Sequence, residues 1–186
     1  MRSKPILILA LLAITHGSMA ADTNSKSIPL DFKGVIFGAS PEETRSTLMT
    51  SMTSWICERG VDTGATGSCT AEGITFAQLP TRNVQFGYLE GRLSMVSANL
   101  DHNAFSNAVA ALRTKYGAPG QTKQSTAANL AGARLPQVLH TWTVPKSGVI
   151  TAELRGYAMD TAYVVYKSVE QLALDNAKQR SAKPDI

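Results

Sequence analysis

The sequence predicts an α+β fold: an antiparallel β-sheet of about seven strands with two main helices packed on one face, in the order β-α-βββ-α-βββ-α. Three observations carry this. Short stretches alternate apolar and polar residues with the period of a strand and follow one another in hairpin order. Two longer stretches place apolar residues at the period of a helix, each near helix start or stop signals. A helix followed by three strands occurs twice, a pseudo-repeat of architecture without a matching repeat of sequence.

Residues 29–37 (PLDFKGVIF) alternate for most of their length and read as a first strand ending at Gly38. Ser40, Pro41 and Glu43 then form a helix start: a serine N-cap, a proline whose missing N–H costs nothing there, and a glutamate able to reach back to the cap. Leu48, Met52, Trp55 and Ile56 follow at helical spacing, so the helix is expected to continue nearly to Gly60. Strands are expected over 74–79, 83–89 and 92–100, the last two joined by the tight turn Glu90-Gly91, with Val84, Phe86 and Tyr88 on one face. Phe105, Val109, Leu112 and Tyr116 mark a second helix over 103–116, closed by Gly117 and Pro119.

The stretch 118–137 is polar and alanine-rich, with at most a short helical turn near 127–133. Compact domains seldom carry so long an irregular connection, so it is expected either to be a binding loop or to hide an element. Strands resume over 138–144, 148–154 and 161–168, and Ser168 with Gln171 can cap a final helix to Lys178.

The domain is thus expected over 29–178, preceded by a leader over 1–20 and a flexible stretch over 21–28, and followed by a flexible tail over 179–186. The leader reading rests on basic Arg2 and Lys4, the apolar run PILILALLAI, and the small residues of Ser18-Met19-Ala20, with cleavage expected after Ala20. That run is about half of what a membrane span needs. No cysteine stands at the cleavage point, so no lipid anchor is expected, and the mature protein is placed in the periplasm or secreted. Cys57 and Cys69 are an even pair, and in an oxidising compartment they are expected to form a disulfide around the glycine-rich segment between them.

Charge and motif content narrow the function classes. Loss of Arg2 and Lys4 with the leader lowers the formal net charge of +4 by two units. The residual cluster Lys178, Arg180 and Lys183 is no stripe able to neutralise several phosphates, which argues against nucleic acid. The cysteines lack CxxC spacing, no His/Cys/Asp/Glu group has ligand spacing, and no serine sits in a nucleophile turn, so neither metal nor cofactor is expected. Asp101 and His102 precede the second helix, where an aspartate is far more often a cap than a catalytic partner, and side chains adjacent in sequence rarely face each other. His140 shares a strand face with Val138, Trp142 and Val144, and gains catalytic interest only if Glu153 lies opposite. Tyr163 and Tyr166 make both faces of their strand apolar, and Tyr88 and Trp142 add large side chains. A sheet face bearing Trp142, Tyr163 and Tyr88, rimmed by Arg155, Lys167 and Arg92, has the composition of a contact surface. Burial of all of them is the competing reading.

The phrases Phe37-Gly38-Ala39-Ser40-Pro41-Glu42-Glu43, Leu89-Glu90-Gly91-Arg92-Leu93 and Lys115-Tyr116-Gly117-Ala118-Pro119 resemble those of small exported bacterial envelope proteins. The helix-plus-meander order is similar to the architecture shared by beta-lactamase inhibitory protein and the small lipoprotein of the Bam complex, although the chain lacks that lipoprotein's anchor cysteine. The resemblance implies a non-catalytic binding or inhibitory role toward another envelope or secreted protein. Two alternatives stand beside it: a periplasmic hydrolase using His102 or His140, and a protein that holds a small apolar ligand.

Overall fold

In a computed structural model, residues 29–128, 132–156 and 158–182 are described. The leader and the flexible stretch expected over 1–28 lie outside the described residues. Among the described residues the fold is α+β, with three α-helices and a largely antiparallel sheet that is wider than expected. A hairpin of β1 (Asp31–Phe32) and β2 (Val35–Ile36) leads into α1 (Pro41–Leu48). Then come β3 (Ser54–Cys57), β4 (Gly67–Glu72), β5 (Thr75–Phe76), β6 (Leu79–Leu89), β7 (Arg92–Asp101) and α2 (Phe105–Tyr116). The second half holds β8 (Gln121–Ala128), β9 (Arg134–Val144), β10 (Gly148–Leu154), β11 (Thr161–Ser168) and α3 (Val169–Ser181). Nine strands form one sheet in the order β3-β4-β6-β7-β11-β10-β9-β8, with short β5 paired to β6.

Several expectations hold residue by residue. Ser40 and Glu43 form the reciprocal cap of α1: the Ser40 N–H donates to Glu43 Oε2 at 2.7 Å and the Glu43 N–H to Ser40 Oγ at 3.2 Å. The β6–β7 turn takes positive φ at both Glu90 (49°) and Gly91 (70°), the geometry that matches the twist of a two-residue hairpin. β10 and β11 keep the expected bounds, and Ser168 Oγ accepts the Gln171 N–H to start α3.

Four expectations are corrected. Residues 29–37 form a two-stranded hairpin, because Lys33 (φ 51°) and Gly34 (φ 85°) turn the chain back on itself. The first helix ends at Leu48; the Ser- and Thr-rich run that follows is poor in helix formers, and Trp55 and Cys57 project from β3 onto the same sheet face. Of the two readings of 118–137 the binding loop gives way to the hidden element: its described residues hold β8 and the start of β9, paired from Gln121↔Thr141 to Ala128↔Arg134. The final helix runs on to Ser181, so the expected tail begins inside it.

One face of the sheet is covered and holds the core. Cross-strand partners share a face, so the ladder Val84↔Ala98, Val164↔Ala98, Ala152↔Val164 and Ala152↔His140 traces the covered side from β6 to β9. Phe86, Tyr88, Val96, Leu100, Ile150, Trp142 and Tyr166 are buried there. α2 lays Phe105, Ala108, Val109 and Leu112 against β9, β10 and β11. α1 packs on β2, with Thr44 beside Tyr88. Between them the β1–β2 hairpin inserts Phe32, whose ring meets Phe86 edge-on at 6.0 Å and Tyr166 at 5.9 Å.

Candidate functional site

Of the two sequence-predicted histidines, His140 is engaged in the framework. His140 lies half-buried on the covered face, stacked on Phe105 at 5.8 Å with an interplanar angle of 11° and tilted against Trp142 at 5.9 Å. Thr122 Oγ1 lies 2.8 Å from its Nδ1. Glu153 pairs in register with Leu139, not His140, and so stands on the opposite face, where its Oε1 accepts from Gln137 Nε2 at 3.2 Å. The carboxylate that would have made His140 catalytic is therefore absent from its side of the sheet. Burial, and to a lesser extent the Arg113 charge, hold the His140 pKa below its ordinary value.

That shift has a sign. The folded state resists the proton that the unfolded histidine accepts, so stability is full above the unfolded value of about 6.5 and is lost as the pH falls through it. The urea midpoint should drop between pH 7.5 and pH 5.5, and His140→Gln, which keeps a polar group beside Thr122, should flatten that drop. The carboxylates held low by hydrogen bonds, Asp101 by the Asn103 N–H and Asp160 by Arg82, act only near and below about pH 4 and so do not confuse the window.

Asp101 and His102, expected to point apart, approach to 3.4 Å between Asp101 Oδ1 and His102 Nδ1. The carboxylate is nevertheless occupied. Its Oδ1 accepts from the Asn103 N–H and from Asn103 Nδ2, each at 2.9 Å, as a cap of the turn before α2. Its Oδ2 lies 3.5 Å from Arg82, which also binds Asp160 at 2.7 Å. Among the described residues no hydroxyl or thiol is hydrogen-bonded to His102, so no side-chain nucleophile is paired with it.

The five residues expected to form one contact surface are split between two faces. Trp142 and Tyr88 are buried on the covered side; Trp142 Nε1 donates to the Gly117 carbonyl at 2.9 Å, tying β9 to the end of α2, and burial pushes the Tyr88 pKa up to about 12. Tyr163 and Lys167 share the other face of β11. There they are flanked by Met95, Ser97 and Asn99 of β7 and by Val149, Thr151 and Glu153 of β10. α3 closes one end of this face, where Asp175 binds Lys167 Nζ at 2.6 Å. Arg155 leaves β10 at positive φ (59°) and donates to the Pro136 carbonyl at 2.9 Å, so it fastens β10 to β9.

Cys57 and Cys69 are bonded, as expected, across the β3–β4 pair. The one cluster of three ligand-type groups among the described residues is Cys57, Asp62 and Cys69, whose two sulfurs are spent on each other and offer no thiolate. No helix among the described residues is long and apolar enough to cross a membrane.

Sequence reasoning missed a cavity. A groove of about 880 Å³ opens between the β1–β2 hairpin, the β6–β7 turn, the β9–β10 turn and α3. Leu30, Ile36, Phe37, Leu93, Val169 and Leu174 supply its apolar wall, and Arg92, Lys146 and Lys178 stand with Glu90 and Glu170 along it. The chain matches no protein-family model, and comparison with curated proteins and with solved structures finds none that matches.

Proposed function

We propose that the chain is an exported, non-catalytic binding protein that engages another envelope or secreted protein through the uncovered face of its sheet. The observation that carries this reading is the face itself. Around Tyr163 and Val165 it presents half-exposed Met95, Val149 and Leu139 among Ser97, Asn99, Thr141 and Thr151, a mixture of apolar and small polar groups on a rigid support. Eight adjacent strands at about 4.8 Å spacing and about seven residues of paired length give a face of about 34 by 23 Å, of which α3 takes one end. A stable protein interface takes roughly 800 Å² per partner, and the part that α3 leaves open has room for much of one. The engagement of His140 in packing and of Asp101 in capping accords with the reading. Export accords with the Cys57–Cys69 disulfide, a bond that persists in oxidising compartments.

The test places a photo-crosslinking residue at Ser97 or Thr151 on the uncovered face, and at Thr114 on the outer side of α2, in protein expressed in its own host. Discrete adducts to one envelope protein are expected from the first two positions and not from the third, on a mature chain whose intact mass begins at Ala21. Adducts from all three positions, from none, or on an uncleaved cytoplasmic chain would sink the proposal.

A further inference from the structure

The groove beside α3 is a surface distinct from the uncovered sheet face. Four large apolar side chains stand exposed among the described residues, and two of them, Ile36 at 63% and Val169 at 44%, line this one groove. Its volume of about 880 Å³ falls in the range of roughly 300–1,000 Å³ typical of small-ligand sites. Its floor is fixed: Leu30 and Leu93 are buried in the core, and the Gly38 N–H donates to the Leu93 carbonyl at 2.8 Å. Two of the three serines that line the groove are already committed. Ser94 Oγ lies 3.2 Å from the Gly87 carbonyl and 3.0 Å from Gln171 Oε1, with one proton to give to either, and Ser168 Oγ caps α3. The hydroxyl of Ser147, beside Lys146, has only a 3.5 Å contact to the Pro145 carbonyl, so recognition of a polar headgroup falls to the charged rim and this serine.

That rim has a positive excess. Lys146, on the β9–β10 turn, has no ion-pair partner among the described residues; Lys178, on the last turn of α3, lies in the field of Asp175, and Arg92 lies in that of Glu43 with a long contact of 3.4 Å to the Gly38 carbonyl. Of the two rim carboxylates, Glu170 sits in the first turn of α3, where the positive end of the helix offsets it. An apolar trough with surplus cations at its lip is complementary to one apolar chain ending in one negative charge. We propose that this groove binds a long-chain carboxylate, with the chain against Ile36, Phe37, Val169 and Leu174 and the head at Lys146 and Lys178.

The experiment uses the whole mature chain and 11-(dansylamino)undecanoic acid, whose emission rises in an apolar site, displaced in turn by dodecanoate, dodecanol and dodecyltrimethylammonium. The expected result is saturable binding of one probe per chain. Dodecanoate should displace it at a concentration about tenfold lower than dodecanol, and the cation should not displace it. Lys146→Glu combined with Lys178→Glu should weaken dodecanoate about tenfold while leaving dodecanol unchanged, and Ile36→Glu should abolish binding of both. All three positions are exposed, and an unchanged thermal melt confirms that each variant is folded. Absence of saturable binding, equal displacement by acid and alcohol, or indifference to Ile36→Glu would each overturn the proposal. None of these outcomes bears on the crosslinks at Ser97 and Thr151, so this site and the protein-contact face stand or fall separately.

Discussion

Phe32→Ala should lower the free energy of unfolding by about 3–5 kcal/mol, the range for deleting a large aromatic from a packed core. The ring is 2% exposed and touches both halves of the sheet: Phe86 of β6 and Tyr166 of β11 edge-on, and Phe76 of β5 stacked at 6.4 Å. The hairpin that carries it has only two residue pairs and cannot hold itself together in water. Its position depends on this ring, on Leu30 and Val35 beside it, and on the Lys115–Asp31 ion pair, whose partly exposed partners contribute at most about 1 kcal/mol. Urea denaturation of the alanine variant measures the loss, and Phe32→Leu, which refills most of the volume, should recover the greater part. A loss below about 1 kcal/mol would mean that the hairpin is an ornament on the core rather than part of it.

Replacing both Cys57 and Cys69 with alanine should cost about 2–4 kcal/mol, and in the chain-entropy model a cross-link over 12 residues stabilises by close to 3 kcal/mol. Alanine is the appropriate test residue because Cys69 is fully buried, and a serine hydroxyl there would add the cost of an unpaired polar group. The location adds to the effect. β3 is a four-residue edge strand, and its Trp55 packs on Phe86 at 5.3 Å, so a frayed β3 would expose aromatic surface as well as backbone. Thiol titration of the denatured, unreduced protein should find no free cysteine, and reductant should lower the Tm of the native chain but not that of the double variant. Two titratable thiols in the freshly exported protein would contradict the bond.

Legibility of the elements follows from whether a segment has one wet side and one dry side. β10 and β11 alternate buried and half-buried residues, so a period of two is written directly in GVITAEL and TAYVVYKS. β8 is exposed along nearly its whole length at the edge of the sheet, so QTKQSTAA carries no hydrophobic period and looks like a loop. β3 misleads for the opposite reason: Leu48, Met52, Trp55 and Ile56 fit a helical spacing, while the shorter alternation of Trp55 and Cys57 is the one that is buried. The period of a strand also gives the phase of its side chains without saying which side is covered. Trp142 and Tyr163 are therefore equally plausible surface residues in sequence, and only the placement of α1, α2 and the β1–β2 hairpin separates them. The groove was not legible because Leu30, Leu93, Lys146 and Leu174 come from four separate parts of the chain, and no local spacing joins them.

The strand order has a kinetic consequence. β3, β4, β6 and β7 all precede α2, β8 to β11 all follow it, and within each group every ladder joins near neighbours along the chain. A single ladder, running from Thr161 with Asp101 to Lys167 with Met95, joins the two groups. Closing a long loop costs conformational entropy that grows only slowly with its length, so one distant closure is far cheaper than several. Two locally closed meanders can thus form independently, and the rate of folding rests on the meeting of β7 with β11, the pairing with the greatest separation along the chain in this sheet.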